Sequence, residues 1–339
     1  MLDIREIAMY NKNICEKHGL DVSVFSITRQ EQQQVMSNDI ILIDPRNLGC
    51  FESSIIKFVD KSKFNIDDYD TIEINDADIG TIQNKIEPFL QYGKKVILKC
   101  WTKPSFEFGW KTWGNRIYYL HTIYMGNIKI HIPDWDETKG INIPQAIDPD
   151  FFPYKKPRNN PRPFIVGYLG ILTWWKGHQL VEKAVSELSD SGHDIQLWMA
   201  GRCSPEYKDE SPLNHKSIKY FGVLKKRELV PKAFQTFDIL CDPWLPKNEP
   251  DSFRVAAAEG LMTGLPIVAF DCPASREFIE DGKNGYLVKN NEEMKNAILR
   301  YYNNTDLITQ HSIYSRQKAL EKFAPEVVID KMARFLHSL

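Results

Sequence analysis

Two carboxylates, Asp251 and Glu259, stand with seven residues between them in the stretch Asp251-Ser252-Phe253-Arg254-Val255-Ala256-Ala257-Ala258-Glu259. Asp251 and Ser252 follow Pro250 and suit the N-cap of a helix, and the alanines are strong helix formers. A helix start offers unpaired amide hydrogens and the positive end of a dipole, which suits phosphate. The backbone amides of Ser252, Phe253 and Arg254 are therefore candidates to hold a phosphate-bearing ligand. The two carboxylates would accept hydrogen bonds from hydroxyl groups on either side of it. Lys176 stands at a second strand-to-helix junction, in Gly167-Tyr168-Leu169-Gly170-Ile171-Leu172-Thr173-Trp174-Trp175-Lys176-Gly177. A cation at a helix start is unfavourable for the dipole, which points to a phosphate partner there. Gly170 in the same loop allows close approach of that phosphate.

The elements that would position these groups alternate. Strands are expected over 164–169, 195–200, 218–221 and 239–241, with helices over 177–188 and 227–237. Residues 260–270 read as helix end, turn and buried strand, and 277–288 as a short helix and a glycine-closed loop. Further helices are expected over 292–301, 315–323 and 325–336. In the first half, 4–18 has helical spacing, 21–27 alternates as a strand, and 40–43 is a short buried strand. Residues 70–74 and 95–100 are further strands, with a helix over 82–90. Such alternation predicts parallel sheets with crossover helices, whose ligands bind at the carboxyl ends of strands. The loops Ala200-Gly201-Arg202 and Phe221-Gly222-Val223-Leu224 lie at such ends. Aromatic residues crowd 101–135, and 154–162 is basic and proline-rich, as a linker would be.

The block from Asp251 to Val288 resembles the C-terminal domain of family 4 retaining glycosyltransferases, also grouped as glycosyl transferases group 1. The family's signature is Glu, seven residues, Glu, then a Gly-x-Pro strand (here Gly264-Leu265-Pro266), then Glu-x-Ile-x-x-Gly-x-x-Gly (here Glu277 to Gly285). Asp251 replaces the first Glu, and Glu249 is the alternative for that place. Many members also carry an Arg five residues before the Lys, where this chain has Ile171. The resemblance covers the second half almost completely and the first half weakly. It implies a GT-B fold: two Rossmann-like domains facing across a cleft, the N-terminal one reduced, since the family's first strand and glycine-rich loop are not found. The implied boundaries are an acceptor-side domain over 1–153, a linker over 154–162, a nucleotide-sugar domain over 163–323 and a C-terminal helix over 324–339 crossing back.

The resemblance also implies roles. Glu259 bonds the ribose, Asp251 the donor sugar, and Lys176 the diphosphate, with Arg254 or Arg202 standing in for the missing Arg. Gly201, Arg202 and Leu224 lie near the base, and Asn75, Asp76 and His121 are acceptor-side candidates. The implied reaction moves a sugar from a nucleotide diphosphate-sugar, a UDP- or GDP-sugar, to an acceptor hydroxyl with retention and no covalent protein intermediate. The acceptor classes are a glycan, a lipid-linked glycan, a protein or a small molecule. Alternatives on the same frame are a non-catalytic sugar- or partner-binding module and a GT-B nucleotide-sugar epimerase.

Composition narrows the field. The 339 residues suit two domains, and the net charge of −2 offers no general attraction to nucleic acid. The six cysteines form no Cys-x-x-Cys pair, the pattern of a reducing compartment. No apolar run approaches bilayer length and no leader is evident, so a cytoplasmic protein, peripheral to a membrane at most, is expected. No metal or other cofactor is expected: Asp76-Ala77-Asp78 has the letters of a metal-binding loop but lies in the weakly matching half.

Overall fold

A computed structural model describes residues 42–43, 56–57, 71–75, 95–100, 119–122, 140–159, 162–204, 214–224, 228–245 and 254–338. They divide into two compact units. In the first unit, β1 (Leu42–Ile43) and β2 (Ile56–Lys57) pair antiparallel. Strands β3 (Thr71–Asn75), β4 (Lys95–Cys100), β5 (Tyr119–Thr122) and β6 (Gly140–Asn142) form a parallel sheet in sequential order. The segment 40–43, expected in a parallel sheet, thus contributes to an antiparallel pair instead. A short apolar run reads alike in either setting. The elements expected over 4–18, 21–27 and 82–90, and most of the aromatic stretch 101–135, fall outside the described residues. The last helix of the chain belongs to this unit, and its Lys331 Nζ donates to the carbonyl of Asn142 at 2.6 Å.

The second unit, from Ile147 to Ala324 among the described residues, holds six parallel strands. They are β7 (Phe164–Leu169), β8 (Ile195–Ala200), β9 (Ile218–Tyr220), β10 (Ile239–Asp242), β11 (Ile267–Phe270) and β12 (Gly285–Val288). Their order across the sheet is β12-β11-β10-β7-β8-β9. Counted within the unit this is the doubly wound order, which reverses between its first strand, β7, and its fourth, β10. The helices are α1 (His178–Asp190), α2 (Leu229–Thr236), α3 (Val255–Thr263), α4 (Pro273–Arg276), α5 (Asn291–Asn303) and α6 (Thr305–Phe323), with α7 (Pro325–Ser338) in the other unit. Val166, Leu197, Ile239 and Val268 are fully buried. Strands covered by helices on both faces read as continuous apolar runs, which is how they appear in the sequence.

Three differences from expectation have physical causes. The helix expected to start at Asp251 and Ser252 starts at Val255. Arg254 is its N-cap, and the carbonyl of Arg254 accepts the first intrahelical bond from Ala258 N at 3.0 Å. The short helix expected over 277–288 is α4, placed earlier. Pro273 is preset for its first turn and Cys272 Sγ accepts from Ser275 N. The Gly282 turn and β12 then occupy the rest of that stretch. Gly285 is needed there because a Cβ would lie 2.0 Å from Ile267 O in the neighbouring strand. Thirdly, the described part of the proposed linker packs on the second unit. The buried carboxylate of Asp238 takes Arg158 Nε at 3.0 Å and Ile165 N at 2.7 Å. Lys155, only 6% exposed, lies 3.7 Å from it and donates to Phe237 O. Burial lowers the Lys155 pKa to about 8, with Asp238 opposing that shift.

Glu280, within the glycine-rich motif, ties the turn to α6. It accepts from Lys318 Nζ at 2.9 Å, Tyr314 Oη at 2.7 Å and Lys283 Nζ at 3.0 Å, and these bonds pull its pKa from 4.5 to about 2. A depressed carboxylate pKa adds stability above the unfolded value and loses it as pH falls through the folded one. The side chain is 39% exposed, so screening holds the gain to about 1 kcal/mol. Glu280→Gln is therefore expected to be less stable by about that much at pH 7. The gap should close as pH falls from 4.5 toward 2; urea melts at pH 7, 4 and 2.5 check it, and a gap unchanged at pH 2.5 would refute it.

Candidate functional site

The carboxyl ends of β7 and β10 flank the point where the strand order reverses, the usual ligand crevice of such sheets. After β7, Tyr168 Oη donates to Ile171 O at 2.9 Å and closes a tight turn over Gly170. The chain then forms a 3-10 turn (Trp174–Lys176) and enters α1 through Gly177. Gly177 has φ +66°, and a Cβ there would lie 2.0 Å from Pro243 O. Glycine thus satisfies both a left-handed backbone and a close crossing by the segment that follows β10. Leu245 N completes the crossing by donating to Trp175 O at 3.2 Å. Behind it, His178 Nδ1 and Glu182 Oε1 meet at 2.8 Å, both buried, and anchor the start of α1.

This crossing sets Trp244 beside Lys176. The ammonium lies 4.6 Å from the indole centroid, and the guanidinium of Arg254 lies 4.8 Å from the same centroid. Each is within cation–π range, worth about 0.5–2 kcal/mol according to desolvation. Arg254 is 4% exposed. Its Nη1 donates to Asp242 Oδ2 at 3.0 Å and its Nη2 to Cys272 Sγ at 3.2 Å. The start of α3 is thereby fixed against the ends of β10 and β11. The amides of Val255, Ala256 and Ala257 form the first turn of α3, ahead of the first intrahelical bond from Ala258 N.

Glu259 lies on the same helix and is 3% exposed, in place of the solvated glutamate usual on helix surfaces. Gly170 and Gly201 touch: Gly170 N donates to Ala200 O at 3.0 Å, and a Cβ on Gly201 (φ +149°) would lie 1.7 Å from Gly170 O. Leu172 N donates to Arg202 O at 2.8 Å, and Gly201 N to Gly222 O at 2.9 Å. The loops carrying Gly170, Gly201, Arg202 and Leu224 are thus stitched into one rim. Tyr220 Oη adds a 2.7 Å bond to Gly201 O.

The structure brings Lys176, Arg254, Gly170, Gly201 and Arg202 to the carboxyl ends of one sheet. Glu249, Asp251, Ser252, Phe253 and Asp76 lie outside the described residues. Asn75 and His121 belong to the other unit, where Asn75 pairs with Lys99 and Lys99 with His121. They therefore share one register row, at the carboxyl end of β3 and one residue short of that of β5. Sequence reasoning missed Trp244 and Asp242. Asp242 had a usable signal, an acid at the end of a buried strand just before Pro243. Trp244 had none, because its role depends on a contact across the sheet.

Residues 163–304 match the family Glycosyl transferases group 1. The match spans the doubly wound sheet and both strand-to-helix junctions of the site. A curated relative, the poly(ribitol-phosphate) alpha-N-acetylglucosaminyltransferase of Staphylococcus aureus, is 24% identical over 193 residues, 55% of this chain and 38% of its own. The chain covers less than half the length of the first three curated relatives it matches: 38%, 46% and 42%. Among solved structures, Anabaena HepE in complex with UDP and glucose has a TM-score of 0.66 at 15% identity, over 80% of this chain and 78% of that one. The pneumococcal O-GlcNAc transferase GtfA in complex with UDP and GlcNAc has a TM-score of 0.62 at 17% identity, over 79% and 56%. The fold is GT-B, as the signature residues implied. No helix among the described residues is long and apolar enough to cross a membrane.

The crossing at Gly177 is testable without substrate. Gly177→Ala is expected to cost about 2–4 kcal/mol, from left-handed strain plus overpacking. Gly192→Ala, also at positive φ but with open space around it, should cost about 1–2 kcal/mol, from strain alone. Chemical denaturation of both variants checks this, and equal losses would remove the role given to the Pro243 contact.

Proposed function

We propose that this chain transfers a sugar from a nucleoside diphosphate-sugar to an acceptor hydroxyl, retaining the anomeric configuration. The observation that carries the reading is the pair of cations, Lys176 and Arg254, gathered on Trp244 at the strand-order reversal of a group 1 domain. Diphosphate is the leaving group in such a transfer, and fixed cations stabilise the charge that builds on it. In this reading the side chains, rather than a metal, balance that charge. The amides at the start of α3 hold phosphate or donor sugar. Glu259 accepts hydrogen bonds from the ribose hydroxyls, and Asp251 or Glu249 does so from the donor sugar. Gly170 and Gly201 let the diphosphate approach the backbone, while Arg202 and Leu224 border the base.

No protein nucleophile is assigned. As the bond from the anomeric carbon to the phosphate oxygen breaks, the acceptor oxygen bonds the same face. The departing phosphate oxygen takes the acceptor's proton. The protein contributes position and electrostatics. Asn75, Asp76 and His121 of the other unit are proposed on the acceptor side, the acceptor being a glycan, a lipid-linked glycan, a protein or a small molecule, with the enzyme at work in the cytoplasm. A UDP-sugar is favoured as donor, because HepE and GtfA were both solved with UDP. The curated relative's N-acetylglucosaminyl transfer supports UDP-GlcNAc as the first to try.

Release of nucleoside diphosphate from UDP-GlcNAc, UDP-glucose and GDP-mannose, with and without sugar acceptors, tests the reading. One donor is expected to turn over, with Lys176→Ala slowed about 100-fold or more, in the range for loss of one electrostatic stabiliser. Glu259→Ala should chiefly weaken donor binding. NMR of the product should show the donor's own anomeric configuration. Inversion would discard the mechanism, and binding of no donor would discard the function.

A further inference from the structure

We propose that Trp244 is a positioning residue that assembles the diphosphate site by holding Lys176 and Arg254 together across the strand-order reversal; this rests on the function proposed above. The two cations come from different elements. Lys176 ends the turn after β7 and Arg254 caps α3, while Trp244 sits on the segment after β10. Residues 170–177 bring a single basic side chain, Lys176, so a second cation must come from the far side of the reversal. The indole centroid lies 4.6 Å from one and 4.8 Å from the other, inside the cation–π range of about 6 Å.

An aromatic ring suits this task better than a carboxylate. A carboxylate would orient a cation but cancel its charge, whereas the face of an indole orients it and leaves the formal charge for a ligand. Among the described residues, the Asp242 carboxylate lies 3.0 Å from Arg254 Nη1. The backbone that carries the ring is set by its neighbours in the chain. Asp242 is held by Arg254, Pro243 O rests against Gly177, and Leu245 N bonds Trp175 O. The backbone on both sides of residue 244 is thus fixed, and the indole lies between the two cations.

The test is calorimetric titration of the full chain with UDP, GDP and ADP, and with uridine as a ligand lacking phosphate. Trp244→Leu is expected to weaken the preferred nucleoside diphosphate about tenfold and Trp244→Phe about threefold, as fits loss or weakening of two cation–π contacts. Uridine affinity should stay within about twofold of wild type, because only the phosphate site is disturbed. In the Lys176→Ala background the Trp244→Leu change should cost about threefold or less, since one of the two contacts is already gone. UDP binding unchanged by Trp244→Leu, an equal loss for uridine, or a full tenfold loss in the Lys176→Ala background would each overturn the proposal. Should Trp244→Leu fail to fold, the same cycle with Trp244→Phe decides by whether its loss shrinks when Lys176 is absent. Wild-type protein that binds none of the three diphosphates would sink the function itself, whereas wild-type binding with an indifferent Trp244 sinks this inference alone.

Discussion

The ion pair between Arg254 and Asp242 is the constraint on which the site's geometry turns. Both side chains are nearly closed off from solvent, and a buried pair of this kind is weak evidence of net stability, because desolvation offsets most of the attraction. What the pair does secure is position. It ties the end of β10 to the first turn of α3, and the same guanidinium reaches Cys272 beyond β11. Two adjacent strand ends, β10 and β11, are thereby referenced to the start of α3. A hydrophobic replacement could fill the volume, but it would leave no fixed cation beside Trp244.

Glycine placement does the complementary work on the backbone. Gly177 and Gly201 each stand where another chain segment passes at a distance no Cβ tolerates. They let the turn after β7 touch the segment after β10 on one side and the loop after β8 on the other. The rim of the sheet is consequently a single hydrogen-bonded structure, to which Tyr168 and Tyr220 add side-chain bonds. Rigid support of this kind is what electrostatic stabilisation of a leaving group requires, since donors and cations must be aimed before charge develops.

Much of the second unit was legible in the sequence, because buried parallel strands and amphipathic helices leave strong local patterns. Strands 164–169 and 195–200 were read with the bounds found, and α1 and α5 lie within two residues of expectation at each end. The start of α3 was not, because Asp251 and Ser252 are better caps than Arg254 by local propensity. The long-range bonds of Arg254 to Asp242 and Cys272, invisible to local reasoning, accompany the later start. Trp244 escaped for the same reason: its meaning lies in two residues 68 and 10 positions away. In the other unit, short strands with mixed composition carry little periodicity, and β2 and β5 went unread.

The segment 154–158 has a practical corollary for anyone trimming the protein. The family match begins at residue 163, and a fragment cut there would hold all of it. It would also strip Asp238, whose side chain is 1% exposed in the whole chain, of Lys155 and Arg158. The excised piece would leave that carboxylate to water and to the amide of Ile165. The physical edge of the sheet's support therefore lies upstream of the edge that the family match draws.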